Sequence, residues 1–148
     1  AGQIAFLAAN GSVFSERIKR KKIIDAHGDL RPEHICLGRS PVIIDRLEFS
    51  KELRIMDIAE ELSFLCMECE MMGNRAAGLV FLDEYKKITD DKIPRSLVTF
   101  YKIKRACLRA YLVARHLEEA RYKDDPKWLA KANAYLKLAE SYHQQLVT

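Results

Sequence analysis

The sequence lacks any run of eighteen apolar residues, so a membrane-spanning helix is excluded. Its opening, AGQIAFLAANGSVF, carries no basic stretch, and polar residues break its apolar run, so no signal peptide is expected. Glycine is scarce: the six residues, at positions 2, 11, 28, 38, 73 and 78, form no G-x-G-x-x-G. Gly73 and Gly78 have the five-step spacing of a phosphate loop. Leu79 and Val80 follow where lysine and a hydroxyl residue are needed, so the pair reads as helix punctuation. Four cysteines include one Cys66-x-x-Cys69 pair inside a helical pattern, with no second pair to complete a zinc site. The expectation is a reduced, cytoplasmic chain whose cysteines and single Trp128 pack in the core or between helices. The net charge is +4, but the basic run Arg17 and Lys19 to Lys22 has no interleaved aromatic residue to stack on bases. It reads as the solvated end of a helix, and no nucleic-acid partner is expected.

What remains is a single domain, residues 1–148. Residues 3–22 read as helix, with a break at NGS where Gly11 ends one segment and Ser12 caps the next. KIID is a short strand and HGDLRPEH a loop. ICL, GRS and PVIID form a hairpin. From residue 50 the pattern is helical, with apolar positions 55, 58, 59, 62, 65, 66 and 69 spaced as one buried stripe up to Gly73. Further helices are predicted over 75–88, 95–122 and from Pro126 to about 146.

The chemistry concentrates in residues 26–49. His27, Asp29 and His34 share the loop, and Asp45 ends the second hairpin strand. A hairpin between them would turn both carboxylates toward one point. One carboxylate beside an alcohol can take its proton. Another at a strand end suits a hard divalent cation. Together they meet the needs of phosphoryl transfer. The same two carboxylates would also serve as caps in a structural turn. Arg31 reads equally as a phosphate contact or an exposed loop residue. Glu33 is expected in solvent and Glu48 paired with Arg54.

HGDLRPEHI, then IDRLEF, then LRIMDIAEEL together resemble the aminoglycoside phosphotransferase and choline kinase-like group, small-molecule relatives of protein kinases. Its pattern runs H-G-D-L-x-x-x-N-I, then I-D, then D-x-A-x-D/E-L. The later FYKIKRACLRAYLVARHL is similar to a subgroup of bacterial phosphotransferase-like proteins of unknown substrate. The resemblance implies an α+β, mostly α, fold: the C-terminal lobe of a kinase-like protein, with helices around a small hairpin that carries the catalytic loop. By the same resemblance, Asp29 orients or deprotonates the acceptor hydroxyl and His27 braces the turn. Asp45 holds magnesium against the phosphates of ATP, and Asp57 supports the loop through hydrogen bonds. Position 34, an asparagine and second metal ligand in the pattern, is His34 here. A ring nitrogen suits magnesium less well than oxygen, so the substitution implies one metal, manganese, or weakened catalysis.

Kinases of this type hold ATP under a second, N-terminal lobe with a glycine-rich loop and a strand lysine. Neither motif precedes Asp29. The expectation is therefore a large lobe without its small one, a fragment inactive alone, and prone to self-association through the bared docking surface. On the long helix Lys102, Arg105, Arg109 and His116 fall within about 60° at 100° per residue. That face suits an anionic small-molecule acceptor, or else salt bridges to Glu60, Glu61 and Glu68. Two further readings stay open. One is a non-catalytic binding or scaffold module that keeps the fold. The other is a metal-dependent hydrolase with His27, Asp29, His34 and Asp45 as ligands.

Overall fold

The computed structural model describes residues 2–119, 122 and 125–147. Two short helices, α1 (Gly2–Ala9) and α2 (Gly11–Lys19), lead into strand β1 (Ile23–Asp25). The loop that follows contains a 3-10 turn, Pro32–His34, and runs into β2 (Ile35–Cys36) and β3 (Val42–Ile43). Strand β4 (Ile55–Asp57) then opens directly into helix α3 (Ile58–Met71), followed by α4 (Arg75–Thr89), α5 (Arg95–Arg115) and α6 (Pro126–Val147). The architecture is mostly helical, with two small antiparallel sheets.

The expected hairpin is present, with Ile35 opposite Ile43 and Cys36 opposite Val42. The second sheet was not expected. β4 pairs with β1, Ile24 opposite Met56, where the apolar spacing suggested that the helix had already begun. The helix cannot start there because Asp57 is its N-cap. Asp57 holds extended angles (φ −65°, ψ 130°) while its carboxylate accepts from the Ala59 N–H. The NGS break also differs: Asn10 precedes α2 and Gly11 is already its first residue.

Gly73, at φ 80°, ends α3 in a left-handed turn that few other residues adopt. Its N–H reaches Glu70 O, and the Asn74 N–H reaches Cys69 O, which satisfies the last carbonyls. Asn74 then caps α4 through the Ala77 N–H. α5 stops at Arg115 and tightens into a 3-10 turn, His116–Glu118, short of the expected end at 122. Residues 120 and 121 of that expected helix lie outside the described residues.

α3 is the axis of the molecule. The stripe reading is corrected here: the helix is buried on every side from Ala59 to Cys69, Glu60, Glu61 and Glu68 included, while Ile55 lies exposed in β4. On one flank Phe64 and Met67 pack with Ile103 of α5 and Tyr135 of α6. Each fully buried side chain of this size contributes roughly 1.5–3 kcal/mol. On the other flank Leu62 and Cys66 meet Leu82 and Leu97, and Phe6 of α1 stacks on Phe100 at 4.9 Å. Gly78 lets α4 approach α3 closely, since a Cβ there would lie 2.7 Å from Cys66 Cα. Cys66 and Cys69 are buried, and burial pushes the Cys66 thiol up to about 11. Cys36 and Cys107 are exposed, contrary to the expected packing role. Trp128 does pack, with its ring centroid 4.2 Å from that of His116.

The basic run is corrected too. Arg17 is 4% exposed and grips Asp57 through Nε and Nη2 (2.9 and 2.7 Å) and Asp91 through Nη1 (2.5 Å). Tyr101 donates to Asp57 and Tyr85 to Asp91. This network ties α2, the start of α3 and the segment before α5 into one unit. Among the described residues, no helix is long and apolar enough to cross a membrane.

Candidate active site

Residues 26–34 leave β1 and cross the N-terminal half of α3, where two backbone N–H groups need partners. Buried Glu61 supplies both: one carboxylate oxygen accepts from the Gly28 N–H (2.7 Å), the other from the Leu30 N–H (3.1 Å). These amides flank Asp29, so the clamp sets where that carboxylate points. Gly28 sits at φ 89°, and a Cβ there would lie 3.1 Å from Leu47 Cβ and 3.2 Å from Arg54 Cγ. Backbone angle and space both demand glycine at this point.

His27 ties the loop to the end of the hairpin. Its Nδ1 accepts from the Asp29 N–H (3.3 Å), and its Nε2 donates to Ile44 O (2.8 Å). An amide only donates and a carbonyl only accepts, so these partners assign the proton to Nε2. His27 therefore links the residue before Asp45 to Asp29 itself. The Leu47 N–H donates to His27 O and the Ile44 N–H to His34 O, closing the same junction.

His34 is buried and oriented by the opposite rule. Its Nδ1 donates to Asp29 O (2.8 Å), while Nε2 faces Arg31 Nη2 (2.9 Å), which can only donate. Nε2 thus presents a lone pair. Asp45 Oδ2 lies 3.3 Å from that nitrogen. Arg31 reaches the other way as well, donating from Nε to Asp29 Oδ2 (3.1 Å). Hydrogen bonds link Asp29, Arg31 and His34, and Asp45 stands beside the same His34 nitrogen as a second acceptor. Arg31 is part of this run, not a free loop residue. Glu33 is exposed as expected, 3.5 Å from Arg31.

Asp45 has a left-handed backbone (φ 62°) and a side chain 75% exposed. A non-glycine residue held in that region at a loop junction is strained, and aspartate is among the few that tolerate it. The return of the hairpin is anchored by Asp25, which accepts from Arg46 (2.6 Å) and Arg54 (2.8 Å). Those hydrogen bonds hold the Asp25 carboxyl below its usual range. Arg54 therefore pairs with Asp25, not with Glu48 as expected.

Two of the expected donors suit a cation. His34 Nε2 and Asp45 Oδ2, 3.3 Å apart, are spaced for one ion bound at roughly 2.1 Å from each. Among the described residues no cluster of three or more His, Cys, Asp or Glu is spaced for a metal. The pair fits an ion that takes its remaining oxygens from phosphate and water, the habit of magnesium, better than a cage built by protein alone. A four-ligand hydrolase site is not assembled, because both nitrogens of His27 are engaged by backbone.

Three expectations are revised. Asp57 does not hold the loop: its partners are Arg17, Tyr101 and the Ala59 N–H, and Glu61 does the holding instead. Glu61 occupies the D/E position of the D-x-A-x-D/E-L pattern, a signal present in the sequence but passed over as part of an acidic face. Arg105 is 6% exposed, with Nε 2.8 Å from Glu60 and Nη1 3.4 Å from Gly28 O, so it supports the loop and meets no solute. Arg109 lies 3.4 Å from Glu68 and over the Tyr135 ring. Lys102 pairs with Glu70 and Lys104 with Glu60. The basic face of α5 is thus turned into the acidic face of α3. Burial pushes the Glu68 carboxyl above its usual range, against the pull of Arg109 and the Tyr135 hydroxyl.

No family model and no solved structure matches the chain. Curated relatives do. Uncharacterized protein Mb2027c of Mycobacterium bovis and uncharacterized proteins Rv2004c and MT2060 of Mycobacterium tuberculosis are each 38% identical over 106 residues. The match covers 71% of this chain and 21% of each relative, so the chain spans about a fifth of the length of the curated relatives it matches.

Proposed function

We propose that this chain is the catalytic lobe of an ATP-dependent, cytoplasmic phosphotransferase acting on the hydroxyl of a small molecule. The observation that carries the reading is the hydrogen-bonded run Asp29, Arg31, His34, with Asp45 Oδ2 3.3 Å from His34 Nε2, on a loop clamped by Glu61 and His27. It joins a candidate proton acceptor to a candidate cation site across one short junction, the two functions that phosphoryl transfer needs side by side.

In this reading Asp29 aligns the acceptor alcohol. Arg31 occupies one carboxylate oxygen, and the other has no partner among the described residues. That free oxygen accepts the hydroxyl proton. Glu61 and His27 prevent the carboxylate from turning away as it does so. Asp45 and His34 would hold magnesium or manganese, which when bound supplies the positive charge that neutralises the phosphates of ATP. For His34 Nε2 to hold the ion, Arg31 would have to leave that nitrogen while keeping its bond to Asp29.

The nucleotide needs a second wall, which a separate N-terminal lobe supplies in the parent protein. The great excess length of the mycobacterial relatives leaves room for such a lobe. Ile23, Ile24, Val42 and Ile43 on the strands beside the site, with Ile44 just past β3, are 37–56% exposed and form the surface for it. Left bare, the same surface drives self-association.

The test is ADP release by the full-length parent with ATP, magnesium and a panel of hydroxyl compounds. Turnover stimulated by at least one acceptor supports the reading; no stimulation by any nucleotide, metal or acceptor overturns it. The isolated 148-residue chain should stay far below the roughly one turnover per second at the slow end for kinases.

A non-catalytic scaffold is the second reading, favoured by one observation: Arg31 already fills the lone-pair side of His34. Manganese titration separates the two. Paramagnetic broadening confined to residues near Asp45 supports the catalytic reading, and its absence with nucleotide present supports the scaffold.

A further inference from the structure

Two clefts lie away from the loop and hairpin. The larger, about 340 Å³, is lined by Arg17, Arg20, Asp91 and Lys92. Its central cation is spent on Asp57 and Asp91, and Arg20 is paired with Glu16 at 2.7 Å. It offers a ligand little that is not already satisfied.

The second cleft, about 300 Å³, opens between α4, α5 and the last turns of α6. None of its lining residues belongs to 26–49. Its floor is apolar, built by Leu82 and Val98 with Leu79 at the rim. Its walls carry four cations: Arg75, Lys86, Arg95 and Lys102. Two carboxylates face them. Glu70 is taken up by Lys102 and by the Tyr142 hydroxyl (2.6 Å), which leaves Arg75 3.9 Å away. Asp83 stands 4.0 Å from Lys86, at the limit of an ion pair. The Arg95 side chain is exposed and has no carboxylate partner among the described residues. An apolar floor beneath surplus positive charge selects for one kind of molecule. A neutral apolar compound would leave the cations unused, and a bare ion would leave the floor wet.

We infer that this cleft binds a small soluble amphipathic anion: a carboxylate or phosphate head on a short apolar body. The head meets Arg75 and Arg95, and the body lies on Leu82 and Val98. The volume sits at the lower end of the range for small-molecule pockets, which limits the body to a short one.

Octyl phosphate and octanoate, each below its micelle concentration, are the probes, followed by amide chemical shifts of the isotope-labelled chain. Saturable shifts confined to α4, α5 and the end of α6 are expected with at least one probe. Inorganic phosphate and 1-octanol should each bind at least ten-fold more weakly, and added salt should weaken the anionic probe. The paired substitution R75A and R95A touches exposed side chains and should weaken binding at least ten-fold. K86E is an independent variant with the same expected direction, and K92A, in the other cleft, should bind as the parent does. The inference is overturned if neither probe saturates, if 1-octanol binds as well, or if neither R75A with R95A nor K86E changes the affinity. Capture on vesicles of phosphatidylcholine and phosphatidic acid without saturable binding of a soluble probe would also overturn it, assigning the face to a membrane.

Discussion

Charged residues play opposite parts in two neighbouring regions. Around α3 the network of Arg17, Asp57 and Asp91 and the pairs of Glu60 and Glu68 with α5 are buried and matched. Around the loop and hairpin Asp29 is half-buried and Asp45 open to solvent, each held on one side only, and Asp45 carries a strained backbone. The first set is consumed in building the frame. The second is kept available by that frame. Asp57 and Asp29 are the same residue type, and only their surroundings separate a helix cap from a candidate proton acceptor.

Substitutions can break that division. Asp29→Asn should have the largest effect: a fall in kcat of the full-length protein on the order of 10²–10⁴-fold, with an unchanged denaturation midpoint. A wild-type rate in that variant would remove Asp29 from the chemistry. Arg17→Met should do the reverse, lowering stability by about 3–5 kcal/mol because two carboxylates stay buried without their partner. Urea titration measures it, and a loss below about 1 kcal/mol would show that solvent reaches Asp57 and Asp91 freely.

Glu61→Gln probes the border between the regions. An amide can accept from only one of the two N–H groups and sets a donor against the other, so about 1–3 kcal/mol should be lost. Turnover should fall with it, since Asp29 sits between those N–H groups. Stability lost without any change in turnover would confine Glu61 to the frame.

Acid should separate the regions further. Burial pushes the Asp91 carboxyl up, but the hydrogen bond and charge of Arg17 pull harder, leaving it below its ordinary 3.8. A group depressed in the folded state stabilises above its unfolded value, and that contribution disappears as pH falls through the folded one. The stability gap between wild type and Asp91→Asn should therefore be present at neutral pH and shrink as the pH falls below 3.8. A gap that stays constant would mean that the charge of Asp91 contributes nothing. Smallest of all should be the effect of Asp45→Asn on folding, within about 0.5 kcal/mol, because asparagine tolerates the same backbone. Manganese broadening near the site should nevertheless vanish.

Local signals in the sequence read well and distant ones did not. Gly73, Pro94 and Pro126 marked helix boundaries through backbone chemistry that needs no partner. The hairpin was legible from two β-branched runs around a turn, because its strands are close in sequence. β4 was missed because its partner lies about thirty residues upstream and its apolar spacing also suits a helix. Arg17 looked like a solvated cation because Asp57 and Asp91 are 40 and 74 residues away. The basic face of α5 was visible as a stripe, but only packing shows that the stripe meets carboxylates. Within the site, the motif marked His27, Asp29, His34 and Asp45; the structure added Glu61 and turned Arg31, read as a phosphate contact or a loop residue, into a link between Asp29 and His34.

The left-handed turn at Asp45 has a bearing on how this position can change over time. Only aspartate, asparagine and glycine sit there at little steric expense. If Asp45 holds a cation as proposed, lineages that keep that site should retain the acid. Those that abandon it should drift to asparagine or glycine long before they accept a branched or bulky side chain, so position 45 across many relatives would register which descendants keep the proposed cation site.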